Sequence, residues 1–326
     1  MTDPLLVTGA AGFVGARVVE QANRRGLPVV SVDGPDLFAD RPEHSGLDFG
    51  RVVGTEDLPA WLAADRPALA GIVHLGACTD TTELDVAFLD RVNLRYSQTL
   101  WEHCRAHGVT FVYASSAATY GDGSKGYDDD ETTMAELEPL NPYGKSKLDF
   151  DLWALERERA GAAPAAWSGF KFFNVYGFGE RHKGRMASVV LQAYDQIRER
   201  GRVRLFQSHH PDYPDGGQKR DFVWVGDVVD VLFYALEKPI RRGVFNLGTG
   251  TARTFADLAG ATFAALGRPV DIEYVPTPED LRERYQYFTE ARMDRLRAEG
   301  WTRPFRSLEE GVQAYVQRLD SARQRA

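Results

Sequence analysis

Side chains that can exchange protons with a hydroxyl group or a ketone occur at two places in this sequence. Ser115 and Ser116 end the apolar stretch VTFVYASS, and Tyr143 and Lys147 lie four residues apart in NPYGKSK. On a helix that begins near Pro142, this spacing puts Tyr143 and Lys147 on one face. A lysine ammonium near a phenol stabilises the phenolate and lowers its pKa, so the tyrosine can exchange a proton near neutral pH. Ser116 could orient the substrate oxygen, although a Tyr–Lys pair at this spacing is by itself a common feature of helix surfaces.

A glycine-rich turn near the start of the chain is typical of a binding site for a redox cofactor. The segment VTGAAGFVGARVV places Gly9, Gly12 and Gly15 between a predicted strand and a predicted helix. Glycines allow a tight turn and a close backbone approach to a pyrophosphate, which the helix N-terminus attracts. Asp33 closes the second predicted strand, where an acidic residue holds the ribose hydroxyls of a dinucleotide. Together with the serine, tyrosine and lysine, this turn favours hydride transfer to or from a hydroxyl or ketone.

The acidic residue does not decide between NAD and NADP. In the following GPDLFADRPEHSG, Arg41 is the one Lys or Arg, and it could reach a 2′-phosphate. A loop with so little positive charge slightly favours NAD.

A further basic residue, Lys183, lies in ERHKGRMAS, residues 180–188. A charged loop with a single glycine is most often solvated surface, and these residues alone favour that interpretation. Whether Lys183 is a surface charge or a base therefore depends on the rest of the chain.

The elements that must position these residues alternate along the first half of the chain. Predicted strands are PLLVT, PVVSV, GIVHL and VTFVYAS, and predicted helices begin near Phe13 and run from about Asp85 to His107. A helix beginning near NPYG and a strand WSGFKFFNV follow. This alternation predicts an α/β fold of the modified Rossmann type, with a doubly wound parallel sheet.

The strict alternation weakens from Tyr176 onward, where turn residues such as those of HHPDYPDGGQ become frequent. We expect RDFVWV and VFNLG to return to the main sheet. The sequence therefore predicts a dinucleotide-binding domain over residues 1–173 plus 221–247. A smaller α/β substrate-binding domain is predicted over residues 174–220 plus 248–326.

Composition restricts the class of protein. Among 326 residues, 43% are hydrophobic and 26% charged, and no apolar run approaches the roughly 20 residues that span a bilayer. Cys78 and Cys104 lack CxxC spacing, so neither a disulfide framework nor a metal site is predicted. The net charge of −8, with scattered basic residues, argues against a nucleic-acid partner. MTDPLLVTGA lacks the pattern of a secretory signal, so we expect a cytoplasmic protein.

Two other groups of residues are given structural interpretations. His74 ends an apolar strand, and we expect it to pack beside the cofactor rather than to act as a base. The acidic run at residues 128–131 is expected to be a solvated loop, since nothing at metal-ligand spacing accompanies it.

TGAAGFVG, YASSAATYG and NPYGKSK resemble the extended short-chain dehydrogenase/reductase superfamily, whose nucleotide-sugar members are epimerases and dehydratases. FKFFNVYG, HKGRMAS, QKRDFVWVGDVVDV, FNLGTG and LRERYQYFTEA resemble its ADP-L-glycero-D-manno-heptose 6-epimerase family over nearly the whole chain. The resemblance implies an isomerase that oxidises C6 of ADP-D-glycero-β-D-manno-heptose, lets the 6-keto sugar present its other face, and returns the same hydride. It further implies a cytoplasmic role in lipopolysaccharide core biosynthesis, NADP or NAD tightly bound with one per subunit, and a homo-oligomer, a pentamer.

The same resemblance implies roles for individual residues. Proton exchange in two opposed geometries calls for a second base, and Lys183 matches the family's second base, so Tyr143 would serve one epimer and Lys183 the other. Ser116 and Lys147 complete the catalytic set. The residues implied to contact the cofactor are Gly9, Gly12, Phe13, Val14, Gly15, Asp33, Leu75, Gly76, Ala77, Cys78, Thr79, Asn93, Lys147, Val175 and Lys183. Those implied to contact the sugar nucleotide are Ser116, Asn174, Arg185, Gln192, Phe206, Gln207, Ser208, His209, Arg220 and Tyr285.

Arg220 has a physical role available in this set, because a guanidinium can pair bidentately with a diphosphate. Its alternative is an ordinary ion pair with Asp221. Arg185 stands where the family often has Ser, and Gln192 stands where some members carry His. These departures leave the fine substrate contacts open.

Two alternative functions remain. Another nucleotide-sugar epimerase or dehydratase is the first, although Ala117 and Ala118 stand where dehydratases usually carry an acidic pair. A non-catalytic cofactor-binding protein is the second. A binding protein has no need of two proton-transfer residues, so catalysis is favoured.

Overall fold

The computed structural model describes residues 3–39, 41–238, 240, 242–282 and 286–325. Its strands in chain order are β1 (Leu5–Thr8), β2 (Val29–Val32), β3 (Arg51–Val53), β4 (Gly71–His74), β5 (Phe111–Ser116), β6 (Trp167–Phe172), β7 (Asn174–Tyr176), β8 (Val203–Phe206), β9 (Lys219–Trp224), β10 (Gly243–Leu247), β11 (Ala252–Thr254) and β12 (Ile272–Val275). Its α-helices are α1 (Phe13–Arg24), α2 (Leu58–Asp65), α3 (Val86–Leu89), α4 (Tyr96–His107), α5 (Pro142–Arg159), α6 (Val189–Arg200), α7 (Val225–Glu237), α8 (Phe255–Ala265), α9 (Glu279–Arg282), α10 (Asp294–Ala298) and α11 (Leu308–Arg325).

The main sheet has seven strands in the order β10-β6-β5-β4-β1-β2-β3, and every pairing is parallel. Helices α1 and α7 pack on one face against Val7 and Val73, whereas α2, α4 and α5 pack on the other against Leu6, Ile72 and Phe111. Because successive strand residues point to opposite faces, strands covered on both sides are apolar throughout. The predicted doubly wound parallel sheet is confirmed.

The strand order reverses at β1, which lies between β2 and β4. Thr8, the last residue of β1, is in register with Val32 of β2 and His74 of β4. The connections that leave these carboxyl ends turn to opposite faces of the sheet, and in open α/β sheets such a reversal leaves a crevice where ligands bind.

The helix predicted from Asp85 to His107 forms in three parts. Asp85 caps α3 by accepting a hydrogen bond from the Phe88 N–H at 2.9 Å, and a π-helical segment, Asp90–Arg95, joins α3 to α4. Asn93 lies in this segment and is 1% exposed. Such π-helical segments occur often at functional sites.

A second lobe stands beside the carboxyl ends of the main sheet. It contains a three-stranded sheet in the order β11-β9-β7 and the parallel pair β12-β8. Helices α6, α8 and α11 pack on these strands around a core that includes Tyr176, Phe222, Trp224, Val312 and Tyr315.

The prediction that RDFVWV returns to the main sheet is wrong. This segment is β9, which pairs with β7 and β11, with Asn174 in register with Phe222. The chain leaves the main sheet after β6 and continues as β7, so β9 pairs with that extension. VFNLG does return, as β10, and pairs with β6.

The prediction that the acidic run is a solvated loop is wrong for Asp129 and Glu131, whereas Asp130 is exposed as predicted. Glu131 accepts the Val244 N–H at 3.0 Å and Asp129 accepts the Asn246 N–H at 2.8 Å. Both amides belong to β10, the edge strand of the main sheet, and Asp129 is only 2% exposed. Carboxylates therefore occupy hydrogen-bonding positions that would otherwise be open on this edge.

None of the described helices combines the length and the apolar character needed to cross a membrane. Within the described residues, no three His, Cys, Asp or Glu side chains are grouped as metal ligands. Cys78 and Cys104 are free thiols.

Candidate active site

A cavity of about 630 Å³ lies at the carboxyl ends of the central strands and extends to the second lobe. Its lining brings together most of the residues predicted from the sequence. They are Gly9, Gly12, Phe13, Val14, Gly15, Asp33, Leu75, Gly76, Ala77, Thr79, Ser116, Tyr143, Lys147, Asn174, Val175 and Lys183. The second lobe adds side chains that had not been predicted, including Met186, Phe222 and Phe255.

The glycine-rich turn leaves no room for larger residues. A Cβ on Gly9, whose φ is +66°, would lie 2.8 Å from the Gly76 nitrogen, and a Cβ on Gly15 would lie 2.0 Å from the Gly9 carbonyl oxygen. Gly12 precedes α1, whose first-turn N–H groups have no partner within the helix. The turn therefore offers backbone donors and close access, which fits the pyrophosphate of a dinucleotide.

Asp33 lies beside this turn and is held by backbone donors. Its carboxylate accepts the Ala11 N–H at 3.1 Å and the Gly34 N–H at 3.0 Å. Burial raises the pKa of Asp33, and these hydrogen bonds and the charge of Arg41 act in the opposite direction. Arg41 also lines the cavity, where its guanidinium donates to the Ala11 carbonyl at 2.7 Å.

Tyr143 and Ser116 face each other across the base of the cavity. Ser116 ends β5, and Tyr143 stands in the first turn of α5, which Asn141 caps by accepting the Gly144 N–H at 2.8 Å. Burial raises the pKa of the Tyr143 hydroxyl, and its hydrogen bond with Ser116 partly lowers it again. Ser116 therefore favours the phenolate form of Tyr143.

Lys147 follows Tyr143 on the same face of α5, but its ammonium is directed elsewhere. It donates a hydrogen bond to the Ala114 carbonyl at 3.0 Å. Burial lowers the pKa of Lys147 to about 8, while the charge of Asp151 raises it. Ser116 lowers the pKa of Tyr143 against the effect of burial. The effect of Lys147 on Tyr143 that the sequence indicated stays a prediction.

Lys183 lies in a 3-10 segment, Arg181–Met186, between β7 and α6. Its side chain lines the cavity, with the ammonium 5.6 Å from the centre of the Phe13 ring. Burial lowers the pKa of Lys183, and the charge of Glu180 raises it in part. Lys183 is therefore not the solvated surface charge that its own loop suggested.

Two predicted cofactor contacts, Cys78 and Asn93, are not part of the cavity lining. The Asn93 amide accepts the Cys78 N–H at 2.9 Å and donates to the Ser146 hydroxyl at 2.9 Å. Ser146 in turn donates to the Tyr143 carbonyl at 2.7 Å. Asn93 thus ties the segment after β4 to the first turn of α5.

His74 is packed as expected. It is 3% exposed, and its ring hydrogen-bonds to the Thr8 hydroxyl at 2.7 Å and to the Ser97 hydroxyl at 2.8 Å. Burial, followed by the nearby charge of Lys147, lowers the pKa of His74 to about 3. An imidazole that is so hard to protonate is a poor base, and both of its ring nitrogens are already hydrogen-bonded.

The predicted substrate contacts separate into two groups. Asn174 lines the cavity together with Ser116, whereas the other described residues of this set are not part of its lining. The Arg185 guanidinium is exposed and donates to the Thr82 hydroxyl at 3.0 Å, and the Gln192 amide donates to the Ala187 carbonyl at 3.0 Å.

Four predicted contacts, Phe206, Gln207, Ser208 and His209, follow from the end of β8 into the next loop. His209 hydrogen-bonds through its ring to the Tyr287 hydroxyl at 2.8 Å. Tyr285 lies outside the described residues. None of the four residues from Phe206 to His209 lines the cavity.

Arg220 is 9% exposed and does not pair with Asp221 among the described residues. The two are neighbours on β9, so their side chains point to opposite faces. Asp221 accepts N–H groups from Thr249 at 2.7 Å and Gly250 at 2.9 Å, while Arg220 donates to the Lys219 and Gln286 carbonyls. The alternative of a simple Arg–Asp pair is therefore not found.

A buried polar layer beneath the cavity had not been predicted. Asp151 accepts hydrogen bonds from the Ser115 hydroxyl and the Lys171 ammonium, each at 2.7 Å. Asp151 follows Tyr143 and Lys147 at successive four-residue steps on α5, so helical spacing was the one signal that could have revealed it. Lys171 carried no such signal.

Comparisons with known proteins agree with this geometry. The NAD dependent epimerase/dehydratase family matches residues 5–248. Proteins called ADP-L-glycero-D-manno-heptose-6-epimerase are 48% identical in Nitratidesulfovibrio vulgaris (Hildenborough), covering 97% of this chain and 98% of that one, and 42% identical in Fusobacterium nucleatum, covering 96% and 97%. The Helicobacter pylori enzyme of the same name has a crystal structure with a TM-score of 0.80 at 26% identity, covering 98% of this chain and 97% of that one. A Thermus thermophilus UDP-glucose 4-epimerase in complex with NAD has a TM-score of 0.75 at 27% identity, covering 98% and 99%.

Proposed function

The chain belongs to the NAD dependent epimerase/dehydratase family, and from that premise we propose that it interconverts ADP-D-glycero-β-D-manno-heptose and ADP-L-glycero-β-D-manno-heptose. It is an isomerase that acts at C6 of the sugar. The single observation that carries this proposal is that Tyr143 and Lys183, from two different lobes, line one cavity together with the glycine-rich turn.

A nicotinamide dinucleotide, when bound, supplies the transient oxidation of C6 to a ketone and its re-reduction. The glycine-rich turn would hold its pyrophosphate, and Asp33 would hold its adenosine ribose. Both sites line the cavity that also contains Tyr143, which supports a nicotinamide ring close to the proton-transfer residues.

Tyr143 accepts the hydroxyl proton of one epimer when C6 is oxidised and returns it when C6 is reduced. The hydrogen bond from Ser116 opposes the effect of burial on the Tyr143 hydroxyl, so it favours the phenolate form that can accept a proton. Lys147 contributes a positive charge one helical turn away, on the same face of α5.

Lys183 accepts and returns the hydroxyl proton of the other epimer. Inverting C6 requires the ketone to present its opposite face, so the oxygen exchanges its proton at a second position. Burial lowers the pKa of Lys183, which brings a neutral amine within reach of working pH. Because Lys183 comes from the second lobe, it approaches the cavity from a different element than Tyr143 does.

The proposal also covers the choice between NAD and NADP, the oligomeric state, the cellular role and the contacts to the sugar nucleotide. We place NAD ahead of NADP, since Arg41 is the one Lys or Arg in the segment GPDLFADRPEHSG that follows Asp33, and we expect one tightly held cofactor per subunit. The remaining expectations are a homo-oligomer, a pentamer, and a cytoplasmic role in lipopolysaccharide core biosynthesis. Asn174, Arg220 and the segment from Phe206 to His209 are the proposed contacts for the sugar nucleotide.

The test is to mix the purified protein, with no added cofactor, with ADP-D-glycero-β-D-manno-heptose and to follow the C6 configuration by proton NMR. Conversion to a mixture of both epimers supports the reaction and a retained, recycled cofactor. If folded protein supplied with NAD and NADP gives no conversion, the heptose assignment is wrong. UDP-glucose is then the next substrate, as a probe for 4-epimerisation.

A further inference from the structure

Glu180 is a buried carboxylate three residues before Lys183 in the sequence. Its side chain has 0% exposure, although it lies in a loop, residues 177–188, that connects β7 with α6. A buried carboxylate is costly unless donors and charges around it are arranged to satisfy it. Its partners therefore show what this residue does.

Both ends of the loop donate to this single carboxylate. At the start of the loop, the Gly177 N–H donates to Oε1 at 3.2 Å. At its end, the Ser188 hydroxyl donates to Oε1 at 2.6 Å and the Ser188 N–H donates to Oε2 at 2.7 Å. Ser188 is also the N-cap of α6, so Glu180 joins the end of β7 to the start of that helix.

Lys183 stands within the closed loop and is attached to the same residue. Its backbone N–H donates to the Glu180 carbonyl at 2.9 Å, and Gly184 follows with a φ of +54° that turns the chain back toward Ser188. Burial, followed by the charge of Glu180, raises the pKa of the Tyr315 hydroxyl on α11.

Several other titratable groups share the loop or the cavity with Lys183. Its own loop contributes Glu180, Arg181, His182 and Arg185, and the lining of the same cavity contributes Asp33, Arg41, Tyr143 and Lys147. Of these, Glu180 is the one whose charge raises the pKa of Lys183 against the effect of burial. Burial in turn raises the pKa of Glu180, while the Ser188 and Gly177 donors and the charge of Lys183 lower it.

We propose that Glu180 is a positioning residue for Lys183. It closes the loop so that the amine stands over Phe13 in the cavity, and its negative charge stabilises the ammonium form of Lys183. The inference rests on the proposed function for its catalytic meaning, but the influence of the Glu180 charge on the Lys183 amine can be tested without turnover.

Glu180→Gln keeps the size of the side chain but removes its negative charge and one of its two acceptor oxygens. Gly177 and Ser188 both direct backbone N–H groups at the carboxylate, and an amide has only one acceptor oxygen, so in either orientation one N–H loses its partner. The same change removes the negative charge beside Lys183, so the amine should lose its proton at lower pH. A matched control is Asp227→Asn, since Asp227 is a buried carboxylate that accepts the Arg306 N–H at 2.7 Å on another part of the fold.

The first readout is the titration of Lys183 itself. The full chain is labelled with trace amounts of acetic anhydride from about pH 6 to 11, and the Lys183 peptide is quantified by mass spectrometry. We expect the labelling midpoint to move to lower pH in Glu180→Gln and to stay at its wild-type value in Asp227→Asn. An unchanged midpoint in Glu180→Gln overturns the inference, even if the enzyme epimerises its substrate.

The second readout is single-turnover oxidation of each heptose epimer, followed through absorbance of the reduced cofactor. Glu180→Gln should slow the epimer served by Lys183 by about tenfold or more, and the epimer served by Tyr143 by less than about threefold. Equal slowing of both epimers means that Glu180 only supports the fold, and the inference fails.

Glu180→Asp covers the case in which the glutamine variant does not fold. It keeps the charge but is one methylene shorter, so the labelling midpoint should stay near the wild-type value while the same epimer slows selectively. Wild-type rates for both epimers in this variant overturn the positioning role. If the midpoint shifts in Glu180→Gln but wild-type protein converts neither epimer, the proposed function is rejected, while the influence of Glu180 on Lys183 is retained.

Discussion

The carboxylate of Asp151 and the ammonium of Lys171 lie 2.7 Å apart, and neither side chain is exposed to solvent. Tyr113 and Ser115 donate to the same carboxylate at 2.9 and 2.7 Å, and Lys171 also donates to the Thr119 hydroxyl at 2.7 Å. Two buried charges are therefore paired and hydrogen-bonded directly below the strand end that carries Ser116. The pair therefore links α5, which carries Tyr143, to β6, the strand next to Ser116.

Breaking this pair from one side should be severely destabilising. Lys171→Met leaves the Asp151 carboxylate buried and unpaired, and loss of one partner of a buried ion pair costs about 3–5 kcal/mol. The free energy of unfolding from urea titration measures this cost. The double variant Lys171→Met with Asp151→Asn removes both charges and should recover a large part of the loss, so equal stability of the single and double variants would contradict the prediction.

The parts of the fold and site that the sequence predicted correctly are determined by short-range rules. Gly9 and Gly15 are needed because a Cβ at either position would collide with backbone, and their spacing is visible in a single turn. Tyr143 and Lys147 share a face because a helix repeats every 3.6 residues. Glycine spacing and helical spacing both involve residues that are close in the sequence, so they can be recognised from the sequence alone.

The parts that failed depend on which distant segments meet. RDFVWV was correctly predicted to be a strand but was assigned to the wrong sheet. Its pairing with β7 depends on where β6 leaves the main sheet. The acidic run was interpreted as solvated because Asp and Glu are usually exposed, yet Asp129 serves an edge strand more than a hundred residues later, at Asn246. Lys171 and Glu180 were missed for the same reason, since a buried charge has no distinctive local pattern.

Tyr143→Phe tests the first proton-transfer residue. The ring still fills its site, but the hydroxyl that exchanges the proton is lost, so epimerisation should fall by roughly 10²–10⁴-fold while bound cofactor is retained. NMR of the sugar and absorbance of the cofactor measure the two quantities separately. Tyr194→Phe, which removes a hydroxyl that donates to Asp320 at 2.6 Å and does not line the cavity, is the matched control. Comparable rates for Tyr143→Phe and the control would remove Tyr143 from the mechanism.

We expect kcat/KM to fall at high pH because Lys147 loses its proton there. Burial lowers its pKa from 10.5 to about 8, so its positive charge is lost above pH 8 and kcat/KM should decline there. Lys147→Arg keeps its charge at all accessible pH, so this decline should disappear, with a lower plateau because the guanidinium is larger. Persistence of the same decline in the arginine variant would assign it to another group.

The same shift has a consequence for stability, with a definite sign. Between about pH 8 and 10.5 the unfolded chain binds the Lys147 proton and the folded chain does not. The contribution of Lys147 to the free energy of unfolding should therefore rise as pH rises through this window, and should be constant below it. Urea titrations of wild type and Lys147→Met across the window give the difference, and a flat difference would contradict the lowered pKa.

Cofactor preference should depend on the charge balance between Asp33 and Arg41. A 2′-phosphate would lie near the Asp33 carboxylate, and like charges brought together cost several kcal/mol, whereas Arg41 attracts the phosphate. Asp33→Ser removes the repulsion and leaves Arg41, which Ala11 anchors through its carbonyl at 2.7 Å. The ratio of NADP to NAD affinity, measured by calorimetry on nucleotide-stripped protein, should therefore rise by about tenfold or more. Asp36→Ser removes an exposed carboxylate from the same loop and should leave the ratio unchanged. If both variants shift the ratio equally, the net charge of the loop sets the preference, and Asp33 has no specific part in it.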